Sequence, residues 1–139
     1  MIVDQLMSTT LVSVSSDDSL ALAREIFSHT HFHHLLIIEE GKLVGVLSDR
    51  DLFKAISPNI GTAAETPKDA ATLRKHVHQI MSRKPITVSS GTSLQEAVHL
   101  FNTKPISCLP VVSEDNTPMG IITWRDILRL VEVLGLKEN

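Results

Sequence analysis

A chain of 139 residues, 42% hydrophobic and 21% charged, suits one compact domain or two small ones sharing a core, and is too apolar for a disordered segment. Its net charge of −3 argues against general nucleic-acid binding, and no apolar run approaches the ~18 residues that a membrane span needs. Met1-Ile2-Val3-Asp4-Gln5 lacks the pattern of a signal peptide, and a single cysteine excludes an internal disulfide, so a reducing, cytoplasmic setting is expected.

In chain order, Leu11 to Val14 reads as a short strand. Ser16 or Asp17 is the expected cap of a helix over about 18–29, because a short oxygen side chain accepts orphan amide hydrogens. Leu20, Ala23 and Phe27 share one face of that helix. His34 to Ile38 is apolar almost throughout and reads as a buried strand; Glu40-Gly41-Lys42 is a turn, and Leu43 to Leu47 is the third strand. Asp49 or Ser48 starts a second helix that ends near Ile56, before Ser57-Pro58-Asn59.

A connector follows. Gly61 to Glu65 is expected to be loop, and Thr66-Pro67 a helix start. Leu73, Val77 and Ile80 carry an apolar stripe toward Met81, so a docking helix is expected here. Beyond it, the strands are Ile86 to Val88, Cys108 to Val112 and Met119 to Ile122. The helices run over about 92–103 and 124–135. The last helix has an apolar face broad enough for its own core and a partner subunit.

These elements are one unit written twice. Gly45-Val46-Leu47-Ser48-Asp49-Arg50-Asp51 returns as Gly120-Ile121-Ile122-Thr123-Trp124-Arg125-Asp126, at an offset of about 74 residues. Met7-Ser8 returns as Met81-Ser82, Ala23 and Phe27 as Ala97 and Phe101, and Leu35 as Leu109. The repeat preserves a hydroxyl, an arginine and a carboxylate at fixed spacing. The expected organisation is repeat 1 over 1–56, a connector over 57–80 and repeat 2 over 81–139.

The G-x-x-(S/T)-x-x-D ending, the buried strand before it and the duplication resemble a tandem pair of cystathionine-β-synthase (CBS) domains, a Bateman module. The opening residues and long connector are similar to the stand-alone acetoin-utilisation type. The resemblance implies an α/β (α+β) fold of two β-α-β-β-α units about a pseudo-twofold axis, joining as a homodimer. It implies a non-catalytic regulatory sensor whose clefts between repeats bind an adenosine-containing ligand: AMP, ADP, ATP or an S-adenosyl compound. No cofactor is required. An unidentified downstream protein receives the signal, and no membrane or direct nucleic-acid partner is expected.

In that geometry Thr123, Arg125 and Asp126 face Val12, His33 and His34, whereas Ser48, Arg50 and Asp51 face Ile86, Ser107 and Cys108. One carboxylate can accept from both ribose hydroxyls. Arginine and helix-start donors suit phosphate. The cap role is expected upstream of Asp51 and Asp126, leaving them for the ligand. Gly45 and Gly120 avoid obstructing a base or a facing strand. The two sites differ, with imidazoles in one and a hydroxyl and thiol in the other, with Lys84 nearby; unequal affinity follows. Pro110 fits the family pattern, Leu36 departs from it, and bulky Trp124 stands beside the second motif.

Plainer readings stand beside these. Ser48 and Thr123 can be caps alone, Arg50 and Arg125 surface ion-pair partners, and Cys108 a small buried hydrophobe. His29, His31, His33 and His34 suggest a metal sensor, but a site needs three or four converging ligands, and His34 points away from His31 and His33 in an extended segment. An interaction protein with unused clefts is a further alternative. An enzyme would need a nucleophile with its base, paired carboxylates or a metal centre, and none stands at usable spacing.

Overall fold

The computed structural model describes residues 1–135 and divides the chain into two units whose boundaries cut across the sequence repeats. One unit is Val12–Pro85; the other combines Met1–Leu11 with the chain from Ile86 onward. The Met-Ser segment ahead of each repeat therefore falls in the unit built on the other repeat.

In Val12–Pro85 the order is β1 (Ser13–Val14), α1 (Leu20–His29), β2 (His34–Glu39), β3 (Lys42–Ser48), α2 (Asp49–Ala55), α3 (Pro67–Ala71) and β4 (Ser82–Arg83). The strands form one sheet in the order β1-β2-β3-β4, with β1 parallel to β2 and the others antiparallel. Glu40 and Gly41 both take positive φ, 50° and 77°, which is what a two-residue hairpin between β2 and β3 requires. The other unit holds β5 (Val88–Ser89), α4 (Leu94–Thr103), β6 (Cys108–Val112), β7 (Pro118–Thr123) and α5 (Trp124–Leu134). Its sheet runs β5-β6-β7, and Ser8 bridges Ile121 where β4 pairs with β3 in the first unit.

The cores correspond position by position. Val14, Ala23, Leu35, Ile37, Leu47 and Val77 cluster in one unit; Val88, Ala97, Leu109, Val111, Ile122 and Val3 cluster in the other. Leu35 and Leu109 have no exposed surface, and each such burial contributes roughly 1.5–3 kcal/mol. The buried character expected of β2 and β6 is observed, with Leu35, Leu36, Ile37 and all of Cys108–Val112 buried.

The motif glycines are explained by the Met-Ser segments. A Cβ at Gly45 would stand 2.6 Å from the Met81 sulfur and 3.1 Å from the Ser82 carbonyl oxygen. At Gly120 it would stand 2.7 Å from Met7 Cγ and 3.0 Å from the Ser8 carbonyl oxygen. Of the two expected roles, closeness to a facing strand is the one the contacts support.

Several local expectations need correction. The cap of α1 is Ser19, not Ser16 or Asp17: Ser19 Oγ accepts from the Leu22 amide at 3.2 Å. Ser16 is occupied elsewhere, its hydroxyl and amide both donating to Glu39 Oε1 at 2.6 and 2.7 Å. Of the two residues expected to start α2, Ser48 is the cap. Thr66 caps α3 as expected, with Pro67 in its first turn, but the stripe from Leu73 to Ile80 is not one helix. It falls into two 3-10 turns, Thr72–Arg74 and Val77–Gln79, separated by extended Lys75 and His76. Val77 still reaches the core.

Candidate functional site

Both copies of the hydroxyl-x-arginine-aspartate motif sit where a strand becomes a helix. Ser48 and Thr123 end β3 and β7 and cap α2 and α5. Ser48 Oγ accepts from the Asp51 amide at 3.1 Å, and Thr123 Oγ1 from the Asp126 amide at 3.4 Å. The aspartates answer. Asp126 Oδ2 accepts from the Thr123 amide at 2.9 Å and its hydroxyl at 3.1 Å; Asp51 Oδ2 accepts from the Ser48 amide at 3.5 Å. Both carboxylates thus belong to capping boxes, which corrects the expectation that capping is completed upstream of them. Hydroxyl and aspartate share the capping because three residues of a first turn bring them together.

The boxes leave chemistry over. An ionised carboxylate has about four acceptor sites. In Asp51 and Asp126 only Oδ2 is used, and Oδ1 accepts no bond among the described residues. Both side chains are half-buried. Arg50 and Arg125 are exposed and make no ion pair among the described residues, so the surface-pair reading has no support. Trp124, first in α5, is half exposed.

The strand-entry residues lie at the same end of each sheet as the motif of their own unit. His34 is paired with Ser48, and the Asp49 amide donates to the His33 carbonyl at 3.0 Å. His33 Nδ1 lies 2.7 Å from Asp49 Oδ2, so Asp49 serves as partner to His33. Together they line a cavity of about 440 Å³ with Phe27, Phe32 and Phe53. His34 is half-buried, and burial holds its imidazole below the ordinary value of 6.5, Asp49 opposing and His33 reinforcing that effect. In the other unit Cys108 is paired with Thr123. Its thiol is buried and pushed up to about 12 by desolvation, the behaviour of a small hydrophobe. Ser107 beside it is exposed.

One difference between the units is structural. The Leu36 amide donates to the Val12 carbonyl at 3.0 Å, and Ser13 pairs with Leu36. Pro110 occupies the corresponding place and has no amide hydrogen. Among the described residues no backbone amide donates to the Ile86 carbonyl, and β5 starts one pair later, at Val88 with Val111.

This repeated strand-helix junction, with its glycine, hydroxyl and aspartate, coincides with a match to a known profile: that of the CBS domain, over residues 3–58 and 77–133. The chain belongs to the CBS domain family. A CBS domain-containing protein of Dictyostelium discoideum is 30% identical over 94% of this chain and 90% of its own length. The chain spans less than half the length of seven further curated relatives, among them inosine-5′-monophosphate dehydrogenases and homoserine O-acetyltransferases. Among solved structures, the CBS domain pair of protein MJ0100, in complex with 5′-methylthioadenosine and S-adenosyl-L-methionine, has a TM-score of 0.80 at 27% identity, covering 97% of this chain and 98% of that one. CBSX2 from Arabidopsis thaliana, in complex with AMP, has a TM-score of 0.79 at 26% identity over 96% and 97%. The acetoin-utilisation likeness, at 22% identity, is one of fold.

The CBS reading leaves one grouping unaccounted for. Among the described residues the His29–His34 run gathers no set of metal ligands, whereas Asp17, His76 and His78 do come together. The sequence signal was His-x-His at 76–78 around a buried valine. Nothing in the sequence linked it to an aspartate 59 residues earlier. No helix of the described residues is long and apolar enough to cross a membrane.

Proposed function

We propose that this CBS pair is a non-catalytic sensor that binds an adenosine-containing ligand at its two motifs. The observation that carries this reading is the recurrence, in both units, of a half-buried aspartate with one unused carboxylate oxygen beside a capping hydroxyl. An adjacent ribose diol can donate to that oxygen without breaking the capping box. Support also comes from the CBS pairs named above, which hold AMP, methylthioadenosine and S-adenosylmethionine.

In this reading Asp51 and Asp126 take the ribose. Arg50 and Arg125, exposed beside them, take phosphate or another anionic group. Val12 and Ile86 flank the base. His33, His34, Ser107 and Cys108 contribute at the strand entries, Cys108 through its backbone because its side chain is buried. His34, held neutral by burial, serves as an uncharged N–H donor. The Ile86 carbonyl, lacking the amide that Val12 meets, is suited to accept from an exocyclic amine of adenine. The two binding steps are therefore unequal.

The sensor works in the cytoplasm as a homodimer. The exposed apolar side chains of α5, Trp124, Leu128, Val133 and Leu134, support self-association, and a separate protein receives the signal. Ligand moves the equilibrium between states only by its differential affinity for them.

A thermal-shift and calorimetry panel of AMP, ADP, ATP, NAD, S-adenosylmethionine and methylthioadenosine tests the reading. A ligand at 100 times its dissociation constant adds about 2.7 kcal/mol, or several degrees of melting temperature. Unchanged melting across the whole panel would remove the sensor reading and leave an interaction protein.

A further inference from the structure

Each unit anchors the turn ahead of its first helix to the segment leading to the motif methionine, but with different chemistry. One unit uses Ile2-Val3-Asp4-Gln5 before Met7; the other uses His76-Val77-His78-Gln79 before Met81. The two stretches close on themselves in the same way. Gln5 Oε1 accepts from the Ile2 amide at 2.8 Å, and Gln79 Oε1 from the His76 amide at 2.6 Å. Val3 and Val77 are both fully buried.

The exposed positions differ. Asp4 closes its turn directly, accepting from the Ser90 hydroxyl at 2.5 Å and the Gly91 amide at 2.7 Å. In the other unit His78 stands in place of Asp4, and Asp17 in place of Gly91. These side chains do not close the turn: His78 Nε2 is 3.9 Å from Asp17 Oδ1. His76 joins them, its ring stacked on that of His78 with centroids 5.3 Å apart. One ligand atom from each of the three lies within 4.8 Å of the others.

We propose that Asp17, His76 and His78 form a binding site for a divalent transition-metal cation of the zinc class. Two imidazoles and one carboxylate make a donor set that suits zinc with a position left for water, and calcium or magnesium would demand more oxygen. The tautomer is already set. His76 Nδ1 lies 2.8 Å from the Asp17 carbonyl oxygen, which can only accept. The ring therefore donates from Nδ1 and keeps its lone pair on Nε2, the outer-sphere bond that orients metal-binding histidines.

The main chain beneath is fixed from both sides. The Val77 amide donates to Asp18 O at 2.8 Å, the His78 amide to Ser16 O at 3.0 Å, and the Leu20 amide to Lys75 O at 2.8 Å. Arg83 donates to the His78 carbonyl at 2.9 Å. Tetrahedral ligand atoms stand about 3.3 Å apart, so closure needs only side-chain rotation, and Asp17 is 87% exposed and unhindered. A cation then ties together in this unit what Asp4 ties together in the other. The site is independent of the adenosine reading and stands or falls apart from it.

The test is zinc titration of the full, untagged chain by calorimetry, with cobalt(II) absorption as a second readout. Expected are one zinc per chain, visible cobalt bands, and a melting temperature raised by about 5 °C at saturating zinc and reversed by chelator. His78→Gln and Asp17→Asn should each weaken zinc at least ~10-fold. Both leave the Asp17 main chain and the His76 bond in place, and their melting in chelator, compared with that of the parent, checks folding. A His29→Gln/His31→Gln variant should bind as the parent does. Absence of zinc binding by the parent, or equal binding by His78→Gln and Asp17→Asn, would overturn the proposal.

Discussion

The two units of this chain share a plan and differ where a ligand would be met. Their cores pair almost one for one, and both close a methionine over a glycine. Yet Pro110 stands against Leu36, Asp4 against His78, and Cys108 against His34. The positions that must fill a sealed interior admit little change, because a lost or added methylene is felt by every neighbour. Of the differing residues, Asp4, His34 and His78 are only partly buried, whereas Leu36, Pro110 and Cys108 are buried in β2 and β6.

The largest expected effect tests the shared plan. Leu35→Ala and Leu109→Ala should each cost about 2–5 kcal/mol, because both are fully buried at equivalent places. Urea unfolding in which one is near neutral would break the equivalence. Next, Gly45→Ala and Gly120→Ala should each cost roughly 1–3 kcal/mol, since the added methyl meets a methionine and a strand carbonyl. Pairing Gly120→Ala with Met7→Ala should recover part of that loss if the contact is its cause.

Asp126→Ala should weaken adenosine-ligand binding by roughly 5–150-fold, the loss of about 1–3 kcal/mol, and should cost about 1 kcal/mol of stability through the capping box. Unchanged affinity alongside reduced stability would leave Asp126 a cap and nothing else. Pro110→Leu sharpens the difference between units. It restores an amide opposite Ile86 and should weaken one of the two binding steps by about 2–10-fold while sparing the other. Two identical, unaffected sites by calorimetry would contradict the assigned asymmetry.

The smallest effect is in pH. Burial depresses the His34 pKa, so the unfolded chain takes up that proton first as pH falls below 6.5. Its contribution to stability is complete above 6.5 and is lost on the acid side. Asp4, Glu39 and Asp69, each lowered chiefly by a serine hydroxyl, extend the loss below about pH 4. His34→Gln should flatten only the upper part of this decline, as followed by melting temperature between pH 7 and 4.

Duplication, element order, buried strands and the two motifs were legible in the sequence. Apolar periodicity and turn residues are local signals, and a repeat reads each of them twice. Capping was only partly legible. Ser16, Asp17 and Ser19 are all competent caps, and the choice fell to Ser19 because Glu39, distant in sequence, had engaged Ser16. The capping role of Asp51 and Asp126 was missed because a side chain three residues into a helix can turn back to the amide of the cap residue.

What the residues alone determined is therefore the interior: which faces are apolar, where strands turn, and that one pattern is built twice. What only the tertiary structure decided is partnership across long stretches of chain. The Met-Ser segments lie over glycines far away in sequence, and Asp17 meets His76 and His78 across a whole unit. Local propensity acts over a few residues, whereas such meetings depend on backbone ladders formed only once the chain has folded.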